Sequence, residues 1–139
     1  MPGPDRYDGR YVDLSGRFAY YTTVDASPSA GSETIIATLP TLGDVSVHVG
    51  VKLEVNIGVT IGTNGVTARL RVRQTNVSGA VKADSGVVTV AAASLYNIDA
   101  LGIDTGPTLP GQVYVATLTI GSGSATSTVT PLFFSALII

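Results

Sequence analysis

The sequence predicts an all-β chain: a single antiparallel β-sandwich, jelly-roll-like, with an extended N-terminal arm. Three observations predict it. From Val45 to Ile61 every odd position is apolar, while the even positions hold Ser46, His48, Gly50, Lys52, Glu54, Asn56, Gly58 and Thr60. A period of two puts alternate side chains on opposite faces of a pleated strand, one buried and one wet. Short β-branched runs separated by Gly, Pro, Asn and Asp recur along the rest of the chain, with no convincing helical period. The length, 139 residues, is that of one domain, and no repeat of solenoid length is present.

Taken in order, residues 1–25 form the arm. Pro2, Gly3, Pro4, Gly9 and Gly16 oppose a helix, and Tyr7, Tyr11, Phe18, Tyr20 and Tyr21 interleave with Arg6, Arg10 and Arg17. Aromatic and arginine side chains are enriched where one surface anchors on another, so these residues are assigned to partner binding. An N-terminal strand with surface tyrosines is the alternative. The sandwich domain occupies 26–139. After the flexible Ala26–Ser32 loop, Glu33–Leu39 is a first strand and Pro40–Asp44 turns into the long alternating run.

Seventeen residues of continuous strand would span roughly 55 Å, far beyond the usual length, so a bend or bulge is expected at Gly50 or Gly58. Asn64-Gly65 reads as a two-residue hairpin turn, which would set Ile61 beside Ala68, Val59 beside Leu70 and Ile57 beside Val72. That register lines Arg69, Arg71 and Arg73 along a polar contact face. Thr75–Ser85 is turn-rich, Gly86–Ala93 is a strand covered on both faces, and Ser94–Gly111 is the longest irregular connection. A short helical turn has its only opening at Ala91–Ala100. Val113–Ile120 and Ser127–Ile139 close the chain as a pair of strands around a Gly-Ser loop, for seven or eight strands in all.

Composition excludes several classes. The chain is 13% charged with a net charge of −2, which opposes global attraction to nucleic acid. It has no Cys, so neither disulfides nor thiolate metal sites can form. Met1–Tyr20 lacks a basic segment followed by an apolar one, which predicts no standard export signal, and no apolar run approaches membrane-helix length. Neither membrane nor nucleic acid is therefore expected as a partner.

Thr105–Ile139 contains no charged residue and no His. An uncharged strand left at a sheet edge aggregates, so Leu132, Phe133, Phe134, Leu137, Ile138 and Ile139 are assigned to a subunit interface. A central strand within a monomer is the alternative.

No catalytic or metal centre is legible, and no cofactor is expected. His48 is the only histidine, sits on the polar side of the alternation, and has no nucleophile motif near it. Zinc needs several Cys or His ligands. Asn97, Asp99 and Asp104 are oxygen donors near one another in sequence, but their spacing is not that of a calcium-binding EF-hand, and Asx residues in loops commonly cap turns. Asp44, Glu54, Asp84, Asp99 and Asp104 offer no evident pair for glycoside hydrolysis. The Gly-rich turns lack the lysine of a phosphate loop.

The Pro/Gly/Tyr/Arg arm, the Val/Thr-rich body without Cys or Trp, and the ending from Val113-Tyr114-Val115 through Gly121-Ser122-Gly123-Ser124 to Phe133-Phe134-Ser135-Ala136-Leu137-Ile138-Ile139 together resemble the small β-sandwich virion proteins of tailed bacteriophages, of the head decoration or cement type. The resemblance spans residues 33–139 and carries over no site residue by motif. It implies a non-enzymatic structural protein of the virion, a homotrimer that binds the major capsid protein and stabilises the head, with the arm reaching across shell subunits. The alternatives are a tail or head-fibre component that binds a host receptor or glycan, and a carbohydrate-binding module. The absence of Trp weighs against the last.

Overall fold

Strands make up all the regular structure among the described residues: β1 (Asp5–Tyr7), β2 (Arg10–Val12), β3 (Phe18–Tyr21), β4 (Glu33–Thr38), β5 (Val51–Ile61), β6 (Val66–Gln74), β7 (Val81–Val90), β8 (Leu95–Asp104), β9 (Tyr114–Ile120) and β10 (Ser127–Ile138). The computed structural model describes residues 5–7, 10–12, 17–29, 31–43, 48–61, 66–91, 95–121 and 127–139, of which 5–7, 10–12, 127, 128, 130 and 131 are described by backbone alone.

Two antiparallel sheets stack face to face. One has the strand order β1-β2-β3-β10-β5-β8 and the other β4-β9-β6-β7. From β3 onward the chain changes sheet at every connection except the β6–β7 hairpin, so β3-β10-β5-β8 lies over β4-β9-β6-β7. This is the winding of a jelly roll, two interlocked Greek keys. The N-terminal segment does not hang free in its strands: β1 and β2 form a hairpin that widens the first sheet beyond β3.

The buried alternation of β5, with Val51, Leu53, Val55, Ile57, Val59 and Ile61 inward, meets Ala68, Leu70 and Val72 of β6 across the sandwich. These strands therefore face one another and are not the hairpin neighbours that Asn64-Gly65 suggests; residues 62–65 themselves lie outside the described residues. β5 is paired with β10 and β8, and β6 with β7 and β9. Strands β9 and β10 likewise belong to different sheets, not to a terminal pair. A period of two records which face is buried, and both arrangements bury the same residues.

Other expectations shift with the topology. The long run is broken at Gly50, where a Cβ would lie 2.7 Å from the Asp104 carbonyl oxygen, and Val49 before it is 78% exposed. At Gly58 the irregularity is carried by the partner strand: between Val129 and Leu132 the β10 register shifts opposite Gly58, where Pro131 has no N–H to donate. β7 is an edge strand with Val81 and Val87 exposed, not one covered on both faces. The supposed irregular connection holds β8; of the stretch open to a helical turn, residues 95–100 are strand and residues 92–94 lie outside the described residues.

At one side of the sandwich the two sheets close on each other. A Cβ on Gly102 of β8 would sit 2.0 Å from the Lys82 carbonyl oxygen of β7, so only glycine permits that approach.

Candidate binding face

The outer face of the six-stranded sheet follows from the ladder register. Inward residues of β5 align with Ala100, Ile98, Phe134 and Ala136, so Lys52, Glu54 and Asn56 point outward beside Ile103, Leu101 and Asp99 of β8 and Leu137, Ser135 and Phe133 of β10. On the far side of β10, Phe18 pairs with Leu137 and Tyr20 with Ser135. Leu95, Leu101 and Ile103 are all more than half exposed on this face, and Phe133, Leu137 and Ile139 are about 40% exposed. Scattered exposed apolar residues are ordinary, but several large ones gathered on one sheet face mark a contact surface.

Aromatic rings form a short ladder across it. Phe18 and Tyr20 have centroids 5.9 Å apart at a tilt, and Tyr20 stacks on Phe133 at 5.8 Å with an interplanar angle of 23°. These spacings are those of favourable offset aromatic pairs. Asn56 donates to the Asp99 carboxylate, so one polar pair flanks the rings.

The residues assigned to the arm divide. Phe18 and Tyr20 lie on this face. Tyr21 does not: it is buried in the core, with its hydroxyl donating to Asp25, because its β3 position pairs with inward-facing Phe134. Arg17 is exposed at the start of β3. Arg6, Tyr7, Arg10 and Tyr11 fall on β1 and β2, Tyr11 in register with Tyr20; their side chains lie outside the description.

The assigned subunit interface also divides, by parity. Leu132, Phe134 and Ile138 are buried inside the sandwich, since β10 is a central strand between β3 and β5; Phe133, Leu137 and Ile139 remain outward. The uncharged character of this strand is thus largely explained by its central place. Sequence reasoning missed Leu95, Leu101 and Ile103, although the inward alternation of Ile98 and Ala100 was a signal for them.

Arg69, Arg71 and Arg73 do share one face, the outer face of the four-stranded sheet, where each pairs with one of two carboxylates. Arg73 grips Glu33 with Nε and Nη2, at 2.6 and 3.0 Å. Arg71 lies 3.3 Å from Glu33 and donates to Thr119, and Thr117 also donates to Glu33. Arg69 donates to both oxygens of Asp84. Arg71 and Arg73 stand in register with buried Thr117 and Val115 of β9. Burial pushes the Glu33 carboxyl up, but hydrogen bonds from Arg73 and Thr117 and the charge of Arg71 bring it below its ordinary value. The Arg69 hydrogen bond, opposed by partial burial and aided by the Gly86 N–H, lowers Asp84.

Asp104 is fully buried where the sheets close. It accepts from Tyr114 Oη at 2.7 Å, Gln74 Nε2 at 2.7 Å and the Gly106 N–H at 2.9 Å, and pairs with Lys82 at 3.2 Å. Burial would raise this carboxyl; the four donors outweigh it and hold it below its ordinary value, while burial and the same bond push the Tyr114 hydroxyl up. Because Asp104 faces inward and Asn97 and Asp99 face outward, the three oxygen donors considered for calcium do not converge. No group of three or more His, Cys, Asp or Glu that could hold a metal occurs among the described residues. His48 is exposed and precedes β5, off the strand where the alternation placed it.

No protein-family model and no curated protein sequence matches the chain. Among solved structures, it is similar to a β-1,3-glucan-binding CBM6 from Bacillus halodurans (14% identity, 97% of this chain, 89% of that one, TM-score 0.39). It is also similar to the CBM22-1–GH10 modules of Clostridium thermocellum xylanase 10B (14% identity, 97% of this chain, 28% of that one, TM-score 0.43). A third similar structure is that of infectious bursal disease virus, Gx strain (12% identity, 100% of this chain, 38% of that one, TM-score 0.43).

Proposed function

We propose that the chain is a non-catalytic assembly module, a structural protein of a virion that acts by protein–protein contact. The observation that carries this reading is the concentration of large exposed apolar side chains on the outer face of the six-stranded sheet, whereas the arginines of the opposite face pair with Glu33 and Asp84. Aromatic enrichment is a mark of an interface core. The residue texture set out above supports the virion setting, with the major capsid protein as partner and head decoration as the role. β1, the edge strand of the same sheet among the described residues, brings Arg6 and Tyr7 to a strand that another chain can approach.

A second reading, glycan binding, is favoured by the stacked Tyr20–Phe133 pair beside Asn56 and Asp99, rings and amide on one exposed surface. Both readings meet in one experiment. The purified full chain is sedimented with empty shells of the virus that carries its gene and, separately, titrated with β-1,3-, β-1,4-glucan and xylan hexasaccharides while tyrosine fluorescence is followed. Saturable co-sedimentation supports the assembly reading. A glycan response without shell binding overturns it in favour of the second.

A further inference from the structure

We propose that the outer face of the six-stranded sheet is covered by a second copy of this chain, in a two-fold dimer whose axis runs across the strands at the level of Leu53. This rests on the reading that the chain works through protein contact, and it assigns this face to a second copy and the contact with the shell to the sheet edge at β1 and β2. The argument begins with the charges at the centre of the face. Lys52 and Glu54 are exposed, two residues apart on the central strand β5, and among the described residues neither enters an ion pair. Any partner surface that buries the apolar residues around them must answer one positive and one negative charge about 7 Å apart. A second copy does so with the same two residues.

The choice of axis follows from register. With the two-fold parallel to the strands along β5, Lys52 would meet its own copy and Glu54 its own, a repulsive arrangement. With the axis perpendicular to the strands, between the rows through residues 52 and 54, Lys52 faces Glu54 of the second copy and Glu54 faces its Lys52.

The same operation then fixes every other pairing. Ile103, in the row of Lys52, meets Leu101, in the row of Glu54; Phe18 meets Tyr20; Leu137 meets Ser135. One row farther out, Phe133 meets Ile139, both about 40% exposed. Asp99, whose carboxylate is held by Asn56, meets exposed Thr105, so no like charges oppose. Ile103 on Leu101, Phe18 on Tyr20 and Phe133 on Ile139 are apolar contacts, Lys52 on Glu54 joins opposite charges, and Leu137 on Ser135 and Asp99 on Thr105 bring no like charges together. Face-to-face packing with nearly aligned strands is the ordinary way two sheets bury a face.

The four strands whose outer side chains are described present roughly 19 by 23 Å, about 450 Å² per copy. That is the lower end of specific interfaces, so the dimer dissociates on dilution. It also leaves β1 and β2, at the edge of the sheet, free to reach a different partner.

The test is a charge swap read by light scattering and sedimentation on the full chain from about 5 to 500 µM, a span that covers the affinity such an area supports. The expected result is a dimer mass at the upper end for the natural sequence, at least a tenfold weaker association for Lys52→Glu and for Glu54→Lys, and recovery in the Lys52→Glu/Glu54→Lys double variant. Unfolding curves at low concentration confirm that the variants fold. A monomer or a trimer throughout, single variants that associate like the natural sequence, or a double variant that stays monomeric each overturns the dimer. Shell co-sedimentation is scored separately: a monomer that still binds shells ends this inference and leaves the assembly reading standing, whereas a charge-rescued dimer that ignores shells does the reverse.

Discussion

The two outer faces of the sandwich begin from the same backbone and end differently. On the four-stranded sheet, three arginines on alternate positions of β6 pair with Glu33 and Asp84, beside buried Thr117 and Val115 of β9. On the six-stranded sheet, the residues between the buried positions are Leu101, Ile103, Leu137 and Phe133, with Lys52 and Glu54 apart from any ion pair among the described residues. The first face pairs each of its arginines with a carboxylate of its own. The second has left its apolar area and its charges to be satisfied by something else. A face closed by its own salt-bridge network contributes to stability, and a face left open contributes to function, because surface that the monomer does not bury is surface still available for binding.

Both faces depend on the clamp that closes the sandwich, and its loss has the largest expected effect. Asp104→Ala removes the acceptor for Tyr114, Gln74 and Lys82, leaving the buried Tyr114 hydroxyl and the half-buried Gln74 and Lys82 without it. A cost of about 3 to 5 kcal/mol in urea unfolding is expected, erasing the contrast between the faces by loosening both. Gly102→Ala acts at the same place through the backbone, since its Cβ would meet the Lys82 carbonyl. Both variants weaken association only through the fold. A stability change below about 1 kcal/mol for Asp104→Ala would show that the clamp is not what joins the sheets.

Next in size is Glu33→Ala, which breaks the closed face alone. Its side chain is 16% exposed and serves two arginines and Thr117, so its removal leaves Arg71 and Arg73 without their shared counter-charge. The expected cost is about 2 to 4 kcal/mol, with no change in association on the open face once unfolding is accounted for. Glu33→Gln, which keeps the shape, recovers only the hydrogen-bonding part.

Acid titrates the same distinction. Glu33, Asp84 and Asp104 are all held below their ordinary values in the folded chain. On unfolding they return to about 3.9 to 4.3, so in the interval between folded and unfolded values the unfolded chain binds more protons and stability rises with pH. Their contribution is complete above about pH 5 and is lost as the pH falls through the folded values. Melting temperature measured from pH 7 to pH 2 therefore falls steeply only in the acid range. Combining Glu33→Gln with Asp104→Asn flattens that fall; an unchanged slope would mean that neither carboxylate is linked to folding.

How much of this was legible beforehand is set by what a two-residue period carries. The inward positions of β5 and β6 could be read directly, and with them the all-β class and a sandwich core. Pairing could not, because Ile57 against Val72 buries the same atoms whether the strands are neighbours or face one another across the core. The Asn64-Gly65 signal favoured the wrong choice, and the open face suffered for it: Leu101 and Ile103 sit in a stretch whose Asn97, Asp99 and Gly102 read as loop. Gly102 is there for the approach of β7, and Asp99 for the bond from Asn56. Charge pairing was illegible for a related reason. Arg71 and Glu33 are far apart in sequence and meet only because β9 lies between their strands.

The smallest expected stability effect sharpens the comparison most. Leu101→Ser and Ile103→Ser remove side chains that are 63% and 55% exposed, on an edge strand, with their inward neighbours Ala100 and Gly102 untouched. A monomer measured at low concentration loses within about 0.5 kcal/mol, since little water-excluded area is given up. The contrast is Leu118→Ala, fully buried in the facing sheet, where about 2 to 5 kcal/mol is lost to transfer and cavity terms. If the open face is a contact surface, the serine pair keeps the fold and loses association, while the core variant loses stability without a selective effect on association. Equal stability losses from both would mean that Leu101 and Ile103 are already covered within the monomer, and the two outer faces would then differ in composition but not in role.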